Sequence, residues 1–307
     1  MKIAVTGSTG FVGGYVVNEL LRRGHGVRVV ARRPDGAVSK FNRRVEAAPG
    51  DVLNLESLVA AFSGCDAVVH LVGIINEKGG HSFDEIHRQG TENAAVAAQK
   101  ALARRYLQMS AMGSSPDAPS EYARTKAAGE DAVRRTKLDW TIFRPSIIFG
   151  PGDGFARLLA KLVDRNPGFI PVIGPGTVKF MPVSARDVAR LFADALDKPE
   201  SAGKSFEVGG PETFTMNEIY REIASAVGKP EKPMIHFPIW YGRIIATLMN
   251  VLPNPPLTND QLNSLSRDNV GDTSPTTALF GPSARQFRPG IREYIHPRGR
   301  HDPTIGI

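Results

Sequence analysis

Three glycines at a spacing of three constrain this chain more than any other feature. They lie in Thr6-Gly7-Ser8-Thr9-Gly10-Phe11-Val12-Gly13, directly after the apolar run Lys2–Thr6 and at the start of a helical pattern over Val12–Arg23 that Gly24 stops. A strand, a glycine turn and a helix in that order form the context in which such a triplet holds a dinucleotide. Gly7 permits the tight turn, Gly10 lets backbone approach a pyrophosphate, and Gly13 allows the helix to pack closely on the strand. The helix start, with Ser8, Thr9, Phe11 and Val12, then offers N–H groups and a positive dipole end to the phosphates. An ordinary glycine-rich turn is the bland alternative, and the flanking strand and helix weigh against it.

The rest of the first half repeats the alternation. Strand-like runs at Gly26–Ala31, Val45–Pro49, Ala67–Val72, Tyr106–Ser110 and Trp140–Arg144 are separated by helical patterns at Leu55–Phe62, Phe83–Ala103 and Glu121–Thr136. Such a sequence predicts an α/β fold, a Rossmann-type doubly wound parallel sheet with right-handed crossovers. After Gly150 prolines and glycines break the pattern. We expect a dinucleotide-binding domain over 1–150, with 178–198 returning to it. A smaller C-terminal substrate lobe is expected over 151–177 and 199–270, including a helix from Thr215 with Glu218 at capping-box spacing. Residues 271–307, rich in Pro, Gly and Arg, read as an irregular C-terminal arm.

Composition excludes several classes. One cysteine, Cys65, rules out an internal disulfide framework and a multi-cysteine metal site, so no metal is expected and a reducing, cytoplasmic setting is. No apolar run is long enough to span a bilayer. The net charge of +7 comes from scattered basic pairs without a nucleic-acid-binding signature, so no nucleic acid is expected as a partner.

The end of the second strand bears on cofactor choice. It reads Val30-Ala31-Arg32-Arg33, with no acid before Asp35. An acid there would hold the ribose 2′-hydroxyl of NAD, whereas arginine accommodates a 2′-phosphate. Arg32 and Arg33 therefore favour NADP(H) over NAD(H), against the bland reading of a solvated surface pair. Asp51 is placed to accept from the adenine amino group with Val52 beside it, and Leu71, Val72 and Gly73 to lie along the dinucleotide. His70, in an apolar strand, reads as a core group. Tyr122 and Lys126 are i, i+4 neighbours on one helix, where an ammonium would lower the phenol pKa toward a useful range.

Together these residues resemble the extended branch of the short-chain dehydrogenase/reductase superfamily, from Lys2 to about Leu196. Gly90-Thr91-x-Asn93, Arg144 to Gly150 and Val183–Ala189 add to the likeness. Ser110-Ala111-Met112-Gly113, Tyr122 to Glu130, Leu257 to Gln261 and Arg267 to Val270 are similar to the atypical group of the complex I 39-kDa accessory subunit, which is epimerase/dehydratase-like and binds NAD(P). The resemblance implies Tyr122 as acid/base, Lys126 as its partner and ribose anchor, Ser110 as a third catalytic group, and a nicotinamide near Pro145, Ser146, Ile147 and Ile148. Two positions depart from the pattern. Ala111 stands where active members carry a Ser or Thr donor, and His87 where they carry Asn; Ser114 or Ser115 are the nearby substitutes.

Two functions follow. One is an NADP(H)-dependent oxidoreductase or epimerase-like enzyme acting on a small-molecule substrate. The other is a non-catalytic accessory or assembly factor that holds the dinucleotide within a respiratory or quinone-synthesis complex. The apolar stretch 237–252 reads either as a lid of the smaller lobe or as an interfacial helix. In the latter case it would touch a membrane or a membrane-associated respiratory partner and make the protein peripheral.

Overall fold

The buried run β1 (Lys2–Thr6) is an interior strand of a seven-stranded parallel sheet. Its neighbours are β2 (Gly26–Ala31) on one side and β4 (Ala67–His70) on the other, with Thr6 level with both Val30 and His70. Beyond them lie β3 (Glu46–Pro49), β5 (Arg105–Met109), β6 (Asp139–Pro145) and the edge strand Lys204–Val208. The spatial order is β3-β2-β1-β4-β5-β6 followed by 204–208. Strand order reverses between β1 and β4, and in open sheets that reversal opens a ligand crevice at the strand carboxyl ends.

The computed structural model describes residues 1–42, 44–77, 80–166, 168–249, 255 and 257–297. The chain forms two units: 1–145 with 185–208 and 273–281, and 146–184 with 209–272 and 282–307. In the first unit, α1 (Phe11–Arg22) packs with the helix Ala185–Leu196. A short α2 (Asp35–Lys40) follows β2. The helices α3 (Leu55–Phe62), α4 (Gly90–Lys100) and α5 (Glu121–Arg134) pack in series, α3 on α4 and α4 on α5. Ala94, Ala95, Ala97 and Ala98 of α4 are fully buried against the core, because small side chains let a helix approach closely.

Four sequence expectations differ from the structure. The helix expected over Phe83–Ala103 is split: Asp84–Gln89 is π-helical and runs into α4. The strand at 204–208, assigned with the smaller lobe, pairs with β6 and completes the main sheet. Of 178–198, the helix 185–196 joins the first unit, but Lys179–Phe180 and Val183–Ser184 pair inside the second. In 271–307, Ser274–Phe280 and Phe287–Ile291 are helical, anchored by buried Phe280, Phe287 and Tyr294. Pro, Gly and Arg are frequent in that segment and hide these widely spaced apolar anchors. Residues 298–307 of it lie outside the described residues.

The second unit has its own core. The helices Phe155–Arg165 and Met216–Ala226 bury Leu159, Val163, Ile219 and Ile223 with Ile170 and Val172 of a strand that pairs with Met234–Phe237. The Thr215–Glu218 capping box is present. Among the described residues no helix is long and apolar enough to cross a membrane, and no cluster of His, Cys, Asp and Glu could hold a metal ion.

Candidate dinucleotide site

Each loop glycine has a distinct steric reason. Gly7 has φ +70°, and a Cβ there would lie 2.9 Å from the Leu71 carbonyl carbon and 3.0 Å from Val72 N. A Cβ on Gly13 would fall 2.1 Å from Gly7 O, so α1 can meet the loop only through glycine. At Gly10 the single near neighbour is Gly7 O, 3.2 Å away, and the residue is exposed. The loop is tied by Gly10 N–H donating to Gly7 O at 3.0 Å. No side chain caps α1, and no acid lies in its first turn. Val12 is buried, Phe11 half-buried, and Phe11 meets Tyr15 edge-on at 5.7 Å.

Three observations fit this loop to a dinucleotide phosphate. Ser8 Oγ is buried with no partner. The α1 N-terminus has no compensating negative charge. Lys40, from α2, donates to Thr9 O at 3.1 Å, which sets an ammonium beside the loop; burial lowers its pKa. Sequence reasoning missed Lys40, since nothing in the spacing of 35–40 points to the glycine loop. Arg32 and Arg33 are exposed at the end of β2 and make no ion pair among the described residues.

The next two strand ends complete the wall. Asp51 Oδ1 accepts from Leu53 N–H at 3.0 Å, so part of its carboxylate holds its own turn. Asn93 Nδ2 donates to Val52 O at 2.8 Å and fastens that turn to α4. A Cβ on Gly90 would lie 3.0 Å from Val52 Cγ2. Leu71 is buried, and its N–H donates to Thr6 O at 3.3 Å. His70 is fully buried; its Nδ1 pairs with Thr6 Oγ1 at 2.8 Å, and burial pushes its pKa down to about 3.

The face of α5 carries the chemistry-bearing groups. Ser120 caps the helix by accepting from Ala123 N–H. Lys126 is buried, donates from Nζ to Met109 O at 3.0 Å, and lies 3.2 Å from where a Gly73 Cβ would be. Burial lowers its pKa to about 8, with Glu130 opposing. Tyr122 packs edge-on against Phe83 at 5.9 Å and His87 at 5.1 Å. Burial pushes its phenol up to about 12, which reverses the expectation that Lys126 would lower it. The ammonium is committed to the β5 carbonyl instead.

His87 is part of a satisfied neutral chain. Ile74 N–H donates to Nε2 at 3.0 Å, which leaves the ring proton on Nδ1 to donate to Thr125 Oγ1 at 3.1 Å. Thr125 in turn donates to Glu121 O at 2.8 Å. Burial, and then the Lys126 charge, lower the imidazole pKa to about 2. The π-helical turn at 84–89 contains this residue, a distortion that recurs at functional sites. Ser110 is buried with Oγ 3.3 Å from Ser114 Oγ, and Ser114 donates to Ala111 O at 2.7 Å.

Not every expected residue belongs to this unit. Pro145 ends β6, but Ser146, Ile147 and Ile148 belong to the second unit. Ser146 Oγ donates to Asn269 Oδ1 at 2.6 Å and accepts from Met181 N–H at 3.1 Å. Ile147 packs on the second core, and Ile148 pairs with Val183. Their side chains and ladder thus have structural partners that the sequence did not reveal.

A glycine-loop site on a doubly wound parallel sheet defines a class of dinucleotide-binding proteins, and sequence comparison places the chain within it. The chain belongs to the NAD(P)H-binding family, which it matches over residues 7–199, and to its extended short-chain dehydrogenase/reductase-like group. Residues 112–296 also match the RmlD substrate binding domain. The mitochondrial NADH dehydrogenase (ubiquinone) 1 alpha subcomplex subunit 9 of Arabidopsis thaliana is 32% identical over 281 residues, 87% of this chain and 70% of that protein. Ceramide reductase of Caulobacter vibrioides is 30% identical over 226 residues, 74% of this chain and 70% of that protein. The structure of DesIV, a dTDP-glucose 4,6-dehydratase from Streptomyces venezuelae, shares the fold at a TM-score of 0.74, with 21% identity and 96% of each chain covered.

Proposed function

We propose that this chain is an NADP(H)-dependent oxidoreductase acting on a carbonyl or alcohol. The observation that carries the reading is the face of α5: Lys126 lies beneath Gly73 and Tyr122 is held against His87. Preference for the 2′-phosphate rests on Arg32 and Arg33, which have no carboxylate partner among the described residues. The Caulobacter relative, named a reductase, supports the direction. A reduced nicotinamide, when bound, supplies a hydride. Tyr122, kept protonated by burial, gives its phenolic proton to the substrate oxygen as the alcohol forms, and is reprotonated from solvent. Lys126, beside Gly73, anchors the ribose. Cytoplasmic residence is part of the proposal, supported by the single, buried and free Cys65.

One observation favours a second reading. Ala111 offers no donor to a substrate carbonyl, and the Ser114 hydroxyl is already committed to Ala111 O. A protein that holds NADP(H) without turnover, as an accessory component of a respiratory or quinone-synthesis assembly, needs neither. The Arabidopsis relative, named as an NADH dehydrogenase subunit, supports it. Complementation separates the two. If the chain is an enzyme, Tyr122→Phe loses at least ~10² in rate and fails to rescue, as Gly10→Val does. Full rescue by Tyr122→Phe, together with failure of Gly10→Val, would retire the enzyme reading.

A further inference from the structure

A surface helix ordinarily turns its large apolar side chains inward and its polar ones to water. The helix Ile239–Met249 does the reverse. Its buried residues are Gly242 and Ala246, one turn apart. A Cβ on Gly242 would lie 2.6 Å from Ile173 Cγ2, so close approach to the strand Ile170–Ile173 selects glycine there. On the opposite face Trp240, Ile244 and Leu248 recur every fourth residue and are 63%, 50% and 69% exposed. Tyr241, beside them, stacks on Phe237 at 5.3 Å. Single exposed apolar residues are ordinary, but a continuous row of large ones marks a surface that something covers.

The charge around this row indicates what covers it. From Lys232 through Asn259 the sequence has no Asp or Glu; Lys232 donates to Val163 O and Asn166 O, His236 Nε2 pairs with Asn217 Oδ1, and Arg243 is the cation on the helix itself. Arg243 is exposed and donates to an amide oxygen, Asn263 Oδ1, at 3.1 Å. The first acid beyond, Asp260, sits in the first turn of the neighbouring helix Asn259–Ser264. At 11 residues the helix is about 16 Å long, fit to lie in an interface and too short to cross one.

We propose that this face beds into an anionic lipid surface. Trp240, Ile244 and Leu248 enter the boundary between headgroups and acyl chains, with Tyr241 at headgroup level, where aromatic rings are preferred. Arg243 meets lipid phosphate. A second copy of the chain is a poorer occupant, because it would set Arg243 against Arg243 across two helices that carry no acid of their own. The proposal goes beyond the dinucleotide site and holds whether or not that site turns over.

Flotation of the full chain with two kinds of vesicle tests it. One is phosphatidylcholine alone, and the other contains about one-third phosphatidylglycerol. Wild type should float with the anionic vesicles, and less so with the neutral ones or at high salt. The triple variant Trp240→Ser, Ile244→Ser, Leu248→Ser, shown folded by circular dichroism, should lose at least ~10-fold in partition. Arg243→Gln should reduce the preference for anionic vesicles and leave neutral binding unchanged. The proposal is overturned if wild type binds neither vesicle, or if the folded triple variant floats like wild type. It is also overturned if wild type, unbound by lipid, sediments as a dimer that the triple variant splits.

Discussion

Lys126→Met should make the protein without ligand more stable while weakening its hold on the dinucleotide. Lys126 is 5% exposed, and burial lowers its pKa from the usual 10.5 to about 8. A drop of about 2.5 units, at about 1.36 kcal/mol per unit, corresponds to ~3 kcal/mol for carrying the charge at neutral pH. Methionine keeps most of the stem's volume and removes that penalty. The lost hydrogen bond to Met109 O offsets about 1–2 kcal/mol, but Gln108 Nε2 still donates to the same carbonyl at 3.1 Å, so no buried oxygen is orphaned. A net gain of ~1–2 kcal/mol remains, and each kcal/mol raises Tm by about 1.5 °C in a chain of 307 residues. The folded pKa lies below the unfolded one, so between about pH 8 and 10.5 the unfolded chain binds more protons and wild type gains stability as pH rises. The margin of Lys126→Met over wild type is therefore widest below pH 8 and shrinks toward pH 10. Thermal unfolding without ligand at pH 7 and pH 10 measures both effects. A variant less stable than wild type at pH 7, or a margin unchanged with pH, would refute the reasoning.

The other predictions concern the loop and the serines. Gly10→Val should keep the fold and abolish dinucleotide binding, whereas Gly13→Val should unfold the first unit. A Cβ at 10 meets only Gly7 O at 3.2 Å, while one at 13 falls 2.1 Å from the same oxygen; circular dichroism and titration distinguish them. Ser114→Ala should leave turnover within a few-fold of wild type, because its hydroxyl is bound to Ala111 O. A loss of ~10² or more in steady-state rate would instead make Ser114 the electrophilic donor.

The glycine loop was legible because its demands are local. The turn at Gly7 and the packing at Gly13 each exclude a Cβ, and the spacing records both. The inner strands β1 and β4 were legible for a similar reason, since strands buried on both faces show as apolar runs. Lys40 and the α2 helix were not, because that segment has no periodicity and Lys40 acts through a contact with a residue 31 positions away. His87 read as a missing Asn; its hydrogen-bonded chain depends on Ile74 and Thr125, 13 and 38 residues away in sequence. The Tyr122–Lys126 spacing was visible, but the burial that raises the phenol pKa is a tertiary effect, with Phe83 and His87 packed against the ring. In Ser146 a residue matched to the family pattern turned out to brace Asn269 and Met181, a tertiary role that spacing does not encode.

The central claim is that the glycine loop and the cations beyond β2 hold NADP(H). Calorimetric titration of the wild-type chain with NADPH and NADH, repeated on Arg32→Glu, tests it most directly. The account predicts that NADPH binds wild type at least ~10-fold more tightly than NADH, and that Arg32→Glu reverses or erases the difference. Equal or reversed affinities in wild type would contradict it.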